Sequence, residues 1–453
     1  MFKKMKKKIT KEESKKLNES SSKNENSNTS KDKDKKINKN IFNTISKFTK
    51  CQKVKNFFEK INKKTKELRI VKAFTSKSQE SKRKWHYGID IARIFAIYFI
   101  INHHVLFHGG PMTKTKLLSD DNNLLIYFNT IFCSGVNIFG MISGFVGFHS
   151  YKYSNLIYLL IQTSLYYFGI AYYYYRTKPR YVKDLNYYLY PLFISDYWYF
   201  TAYFILYFFF PLINAGIRTL EKREMGIFNL TLFLLFSCFN QISHYSHTFK
   251  FDIFSFNNGF SYKWLLILYF FGGYFGRFYS EGHKYNKFLI LVMCTFVIGF
   301  AALCRNLIIL YRIRHKRRHF HSMMWEYTAP SSVIISTFFI LFCSKLEINF
   351  IIFQKIISFF APLTYGVYLI HNHAIIRIHI ITGKYTFLFK YHSLELIFGI
   401  LTESLKIFLF CSIIDFIRLI IFKILRIRQI CILIEKFIIK ILSGIIIFFE
   451  NLY

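Results

Sequence analysis

Runs of about 17 to 25 predominantly apolar residues recur along this chain, separated by loops of mixed polarity, and that recurrence limits what it can fold into. A helix of that length crosses the hydrocarbon core of a bilayer. With 53% hydrophobic and 20% aromatic residues among 453, the chain carries more apolar surface than one soluble domain can hide. The expected fold is all-α, a polytopic membrane protein of about ten transmembrane helices. Spans are expected at 88–107, 124–148, 156–175, 197–214, 226–243, 262–280, 287–311, 330–344, 357–376 and 395–422. The 55 Phe and 33 Tyr suit lipid-facing and interfacial positions.

An even number of spans puts both termini on one side. The basic N-terminal tail and the C-terminal Lys423, Arg426, Arg428, Lys436 and Lys440 predict that this side is the cytoplasm. Two internal clusters then fall on the far side, against the rule: Arg176, Lys178 and Arg180, and Arg312, Arg314, Lys316, Arg317 and Arg318. Either the span count is off by one or those loops are basic for a functional reason. No internal repeat is visible, which weakens a transporter reading.

The charge of +37 is uneven: residues 1–84 hold 28 Lys and Arg against 9 Asp and Glu, a net +19. Nucleic-acid binding is one reading of such a tail. A cytoplasmic segment held near anionic lipid is the stronger one, so membrane lipid and no nucleic acid is the expectation. Residues 1–40 are too polar to fold alone, and no apolar core follows the basic start as in a signal peptide. From 41 to 75, apolar residues at helical spacing suit a helix lying on the membrane. The expected organisation is therefore a basic tail over 1–84, a membrane domain over 85–422 and an interfacial basic helix over 423–453. The eight cysteines form no CxxC and lie mostly in apolar runs, as free buried thiols do.

The first span carries the most unusual chemistry. Asp90, Arg93, His103, His104 and His108 interrupt a segment otherwise almost wholly apolar. Arg93 and His104 are eleven residues apart, almost three turns, so they share one face and stand roughly 16 Å apart along the axis. Ionisable groups on a membrane helix are costly and point to function. A neutral imidazole suits a general base, and an arginine fork suits a phosphate or carboxylate. A membrane-edge ion pair with capping histidines would explain the same residues.

Other segments are weaker alone. Gly135, Gly140, Gly144 and Gly147 have spacing that lets helices approach closely. Trp198 and Tyr199 fit an aromatic belt. His371 and His373 form an HxH whose members point to different sides of a helix, a poor metal site, and no metal is expected. His315, His319 and His321 lie among basic residues and suit an anion-facing loop.

Taken in order, however, these segments resemble membrane acyltransferase family 3, the multi-pass O-acyltransferases of cell-surface polysaccharides. The resemblance covers about residues 86–380. Its segments are D-x-x-R-(x10)-H (Asp90, Arg93, His104), HxxxHGG (His104, His108, Gly109, Gly110) and N-x-F-x-x-I-S-G-F (Asn137 to Phe145). They continue with YWYFTAYF and a following proline (Tyr197 to Phe204, Pro211), GGYFGR (Gly272 to Arg277) and TYGVYLIHxH (Thr364 to His373).

The resemblance implies transfer of an acyl group, most often acetyl, from cytoplasmic acyl-CoA as co-substrate to a hydroxyl of a carbohydrate or glycolipid, with no bound cofactor. It implies His104 as the catalytic base, supported by Arg93 and Asp90. His108, Ser143, Trp198, Tyr199, Tyr368 and His371 are the substrate-binding candidates it brings, Ser143 equally fitting a packing role. One departure stands out. Where the family has S-R-x-x-R opening the third span, this chain has Ser154, Asn155, Leu156, Ile157 and Tyr158. Lys152 is the remaining nearby candidate for donor-phosphate contact. A transporter or glycan-export protein using the same polar helix is the alternative.

Overall fold

The computed structural model describes residues 86–149, 152–191, 195–245, 254–279, 286–315 and 326–450. The basic tail 1–84, the loop cations Lys316, Arg317 and Arg318, and His319 and His321 lie outside them. The chain divides into two units. Residues 77–438 form the unit that carries everything below, and of the other unit only 439–450, the end of the last helix, are described.

No strand occurs among the described residues, which are almost entirely helical. The helices of eight or more residues are α1 (Tyr87–Phe107), α2 (Asp120–Phe132), α3 (Ser134–Gly147), α4 (Tyr153–Thr177), α5 (Trp198–Tyr207), α6 (Phe210–Thr219) and α7 (Lys222–Phe233). There follow α8 (Tyr262–Phe278), α9 (Lys287–Arg314), α10 (Pro330–Ser344), α11 (Ile351–Phe360), α12 (Thr364–His371), α13 (Ser393–Ile424) and α14 (Ile427–Glu450). Every expected span falls on one or more of these.

Continuity is where expectation and structure differ. Among the described residues five stretches are long and apolar enough to cross a membrane: Tyr87–Lys114, Asp120–Gly147, Lys222–Ile242, Lys287–Tyr311 and Ile351–His371. The pair α5 and α6, bent by 67° at Phe208–Phe209, would make a sixth. That is fewer than the ten expected. Pro211 sits in the first turn of α6, where its missing N–H costs no helical bond, and marks the bend. The 25-residue α4 is long enough, but its many tyrosines lower its hydropathy; the 32-residue α13 carries Glu403, Lys406, Asp415 and Arg418. The outer faces read as lipid-exposed: on α9, Phe288 and Phe296 are each 71% exposed.

The centre is a close-packed pair, α3 against α8, flanked by α1. Glycine makes it possible. A Cβ on Gly144 would meet the Tyr269 carbonyl oxygen at 2.0 Å, and one on Gly272 would meet that of Met141 at 1.8 Å. The small-residue spacing in both segments is thus backbone contact, the membrane solution to packing without a hydrophobic driving force. Asn137 supplies the polar link: its amide donates to the Tyr327 carbonyl (2.7 Å) and Ser332 Oγ (3.0 Å), and Trp264 Nε1 donates to its oxygen (3.0 Å).

A second buried polar cluster joins α4 to α13. Asp415, fully buried, pairs with Arg418 (Nη2–Oδ2 2.5 Å, Nε–Oδ1 2.9 Å) and accepts from Tyr166 Oη (2.7 Å) and Gln162 Nε2 (3.2 Å). In apolar surroundings a carboxylate persists only when so saturated.

Candidate active site

The C-terminal half of α1 forms one wall of a cavity of about 410 Å³. Ile97, Ile100, His104, Phe107 and His108 line it at helical spacing, with His103 beside them. The helix ends at an HGG turn that is clamped from outside. The His108 carbonyl accepts from Gly383 N–H (2.8 Å) and the Gly109 carbonyl from Tyr385 N–H (3.0 Å). Gly110 turns with φ +113°, a conformation L side chains rarely adopt, and Thr386 Cγ2 would stand 2.6 Å from any Cβ there. The turn therefore fixes where His104 and His108 end up.

The opposite wall is aromatic. Trp198 and Tyr199 open α5, and Phe139, Phe260, Tyr327, Tyr365 and Tyr368 complete it. Trp198 stacks on Tyr327 (centroids 6.0 Å, 19°) and meets Phe260 edge-on (4.8 Å). Such a mostly apolar lining with few polar groups is the usual character of a small-molecule site.

The polar groups are few. The His104 ring has no hydrogen-bond partner at Nδ1, which is sealed from solvent. Its ring lies 5.2 Å from those of both His108 and His371 and 6.1 Å from that of His103. His103 is engaged elsewhere, with Nδ1 at 2.9 Å from Asn129 Oδ1, so of the two adjacent histidines His103 has the packing bond. At the rim Arg377 reaches Asp196 (Nη2–Oδ1 3.8 Å) and Asn372 Oδ1 (3.5 Å) while its side chain stays 29% exposed. Glu326 also lines the cavity.

The expected site residues divide. His104, His108, Trp198, Tyr199 and Tyr368 line the cavity, and His371 stands directly behind His104. Arg93 does not: the cavity follows its helical face only down to Ile97, one turn short. There Arg93 pairs with Asp90 (2.5 Å) at the other end of α1. Ser143 also lies outside, donating to the Phe139 carbonyl of its own helix (3.1 Å). Lys152 precedes α4 with an exposed side chain, its backbone held by the Tyr207 hydroxyl. His373 parts from His371 as its spacing required: Nδ1 accepts from Ile375 N–H and Nε2–H donates to the Tyr167 carbonyl (3.1 Å).

Asn155 and Tyr158, where the resemblance led to an expectation of arginines, each meet a guanidinium group. Arg428 Nη2 donates to Asn155 Oδ1 (2.6 Å) and Arg418 Nη1 to the Tyr158 hydroxyl (2.8 Å). Sequence reasoning missed Arg377, Asn372, Asp196 and Glu326. The first two lie in or just beyond TYGVYLIHxH and Asp196 just before YWYFTAYF, so proximity to those motifs was the available signal.

A family model described as an acyltransferase domain matches residues 86–414. No curated protein and no solved structure matches the chain. The match takes in both walls of the cavity, from α1 through α12, and most of α13, and it decides between enzyme and transporter. The chain belongs to this acyltransferase family and is a multi-pass membrane protein.

Proposed function

We propose that the chain transfers an acyl group, acetyl in the simplest case, from acyl-CoA to a hydroxyl of a carbohydrate or glycolipid in this cavity. The observation that carries the reading is His104, an imidazole with no hydrogen-bond partner at Nδ1 on the wall of an aromatic cavity, in the polar segment of an acyltransferase domain. Aromatic faces, being electron-rich, suit the C–H faces of a sugar ring, while Arg377, Asn372 and Glu326 offer hydrogen bonds to its hydroxyls.

His104 takes the acceptor hydroxyl proton as that oxygen attacks the thioester carbonyl carbon. The C–S bond then breaks, and the CoA thiolate leaves with the proton returned from His104, giving ester and free CoA. Arg93, held by its pair with Asp90, and Lys152 serve the donor from the other end of α1, where an arginine fork or a lysine can meet phosphate. The basic termini favour the cytoplasm for that end and for both termini. No metal or bound cofactor enters the scheme.

The test is CoA release by the purified full-length protein from labelled acetyl-CoA with a glycan acceptor. Wild type should release CoA and His104→Ala should not, while remaining folded. Release that survives His104→Ala unchanged would show that another group is the base. Mass spectrometry of surface glycans with and without the protein should show a difference of one acyl group.

A further inference from the structure

A histidine base works best when one ring nitrogen is bare and the other is held, because the held one sets the tautomer. His371 Nδ1 lies 2.6 Å from the Val367 carbonyl oxygen, one turn back on α12. A carbonyl only accepts, so that Nδ1 carries the proton and Nε2 of the neutral ring is a lone pair. This Nε2 is sealed from solvent with no partner. His104 has the complementary defect, a sealed and unpartnered Nδ1. The two rings are neighbours, with centroids 5.2 Å apart and planes inclined by 43°. Buried polar atoms normally find partners, and here two lacking one sit on adjacent rings.

We propose that His371 is a positioning residue for His104: His104 Nδ1–H donates to His371 Nε2, which leaves His104 Nε2 bare on the cavity side. With His371 held by Val367, the pairing requires His104 to turn about its Cβ–Cγ bond, a terminal torsion that is broad. The other neighbours fit less well, since His103 already bonds Asn129 and His108 is solvent-exposed. When His104 takes a proton at Nε2, the Nδ1 proton stays in place. The neutral His371 lone pair then faces the new cation, and no proton passes between the rings. The inference rests on His104 being the base, but its structural half stands separately.

Two near-isosteric variants separate the atoms. His371→Asn keeps a polar atom near Nδ1, hence the Val367 bond, and removes the one at Nε2; His371→Gln keeps an acceptor near Nε2. The first readout needs no substrate: nitrogen NMR of ring-¹⁵N-histidine protein in detergent, with His104 assigned by its loss in His104→Gln. In wild type His104 should be protonated at Nδ1 and bare at Nε2. His371→Asn should shift it to a mixture of tautomers, and His371→Gln should hold it.

The second readout is CoA release from acetyl-CoA with a glycan acceptor. His371→Asn should lower kcat on the order of 10²-fold with KM for acetyl-CoA unchanged, the scale of a misaligned catalytic group, and His371→Gln should recover most of it. A wild-type His104 protonated at Nε2, or His104 signals unmoved by His371→Asn, overturns the pair. Full turnover in His371→Asn where His104→Ala is dead also overturns it, leaving the base assignment intact. Turnover surviving His104→Ala removes the base assignment instead, and the ring signals still decide the pair.

Discussion

The carboxylate of Asp415 occupies the space in which Gly366 would carry a side chain: a Cβ there would stand 1.9 Å from Oδ1 and 2.0 Å from Cγ. Because that carboxylate is held by Arg418, Tyr166 and Gln162, it cannot retreat without breaking a buried polar cluster. Gly366→Ala should therefore destabilise the protein by about 3 kcal/mol, between the costs of overpacking and of breaking a buried ion pair. Gly169→Ala, with nothing within 4 Å of the added methyl, should leave stability unchanged or slightly raised. Thermal unfolding in detergent compares the two, and equal melting temperatures would count against the packing described.

Removing one member of the Asp415–Arg418 pair should cost more than removing both. Arg418→Met alone leaves a fully buried carboxylate without its cation, a change that typically costs about 3–5 kcal/mol. The double change Asp415→Leu with Arg418→Met should recover most of that loss. A double variant as unstable as the sum of the single ones would mean that the two residues do not act together.

Loss of the His104 imidazole should separate activity from folding. His104→Ala should lower CoA release about 10³-fold, within the range of general base catalysis, while the melting temperature moves far less than for Gly366→Ala, because the ring lines a cavity and at most one neutral hydrogen bond is lost with it. A collapse in melting temperature equal to that of Gly366→Ala would assign the ring a packing role.

Substrate dependence should divide between the two ends of α1. Arg377 lies at the cavity rim with part of its guanidinium exposed, while Arg93 stands one turn beyond the cavity floor. Arg377→Gln should raise KM for the glycan acceptor about tenfold, the scale of one lost charged hydrogen bond, and spare KM for acetyl-CoA. Arg93→Gln should do the reverse. If both variants move the same KM, donor and acceptor do not approach from opposite ends.

How far the sequence carried varied with range. Periodicity placed the helices, and the costly face of α1 was legible because few apolar helices carry Asp90, Arg93 and His104 together. Breaks were harder to see. The 67° bend at Phe208–Phe209 is hinted at only by Pro211. The remaining polar groups of the cavity were out of reach for another reason. Glu326 and Arg377 line the cavity from segments just before α10 and just after α12, which come together because α10 and α12 pack on α1, and spacing along the chain says nothing about which segments meet. Arg93 shares the helical face of His104, as the spacing requires, but that face reaches past the end of the cavity.

The bonds at Asn155 and Tyr158 mean that an arginine placed at either position would meet a guanidinium group already there. Arg428 and Arg418 present their guanidinium groups to these two positions from α14 and α13. An arginine at 155 would face Arg428 as a like charge, and one at 158 would meet Arg418 in place of the hydroxyl that accepts from it. The positive charge at this end of α4 is supplied by α13 and α14. Arginines on α4 and arginines on those two helices are alternatives, and holding both at once is worse than holding either.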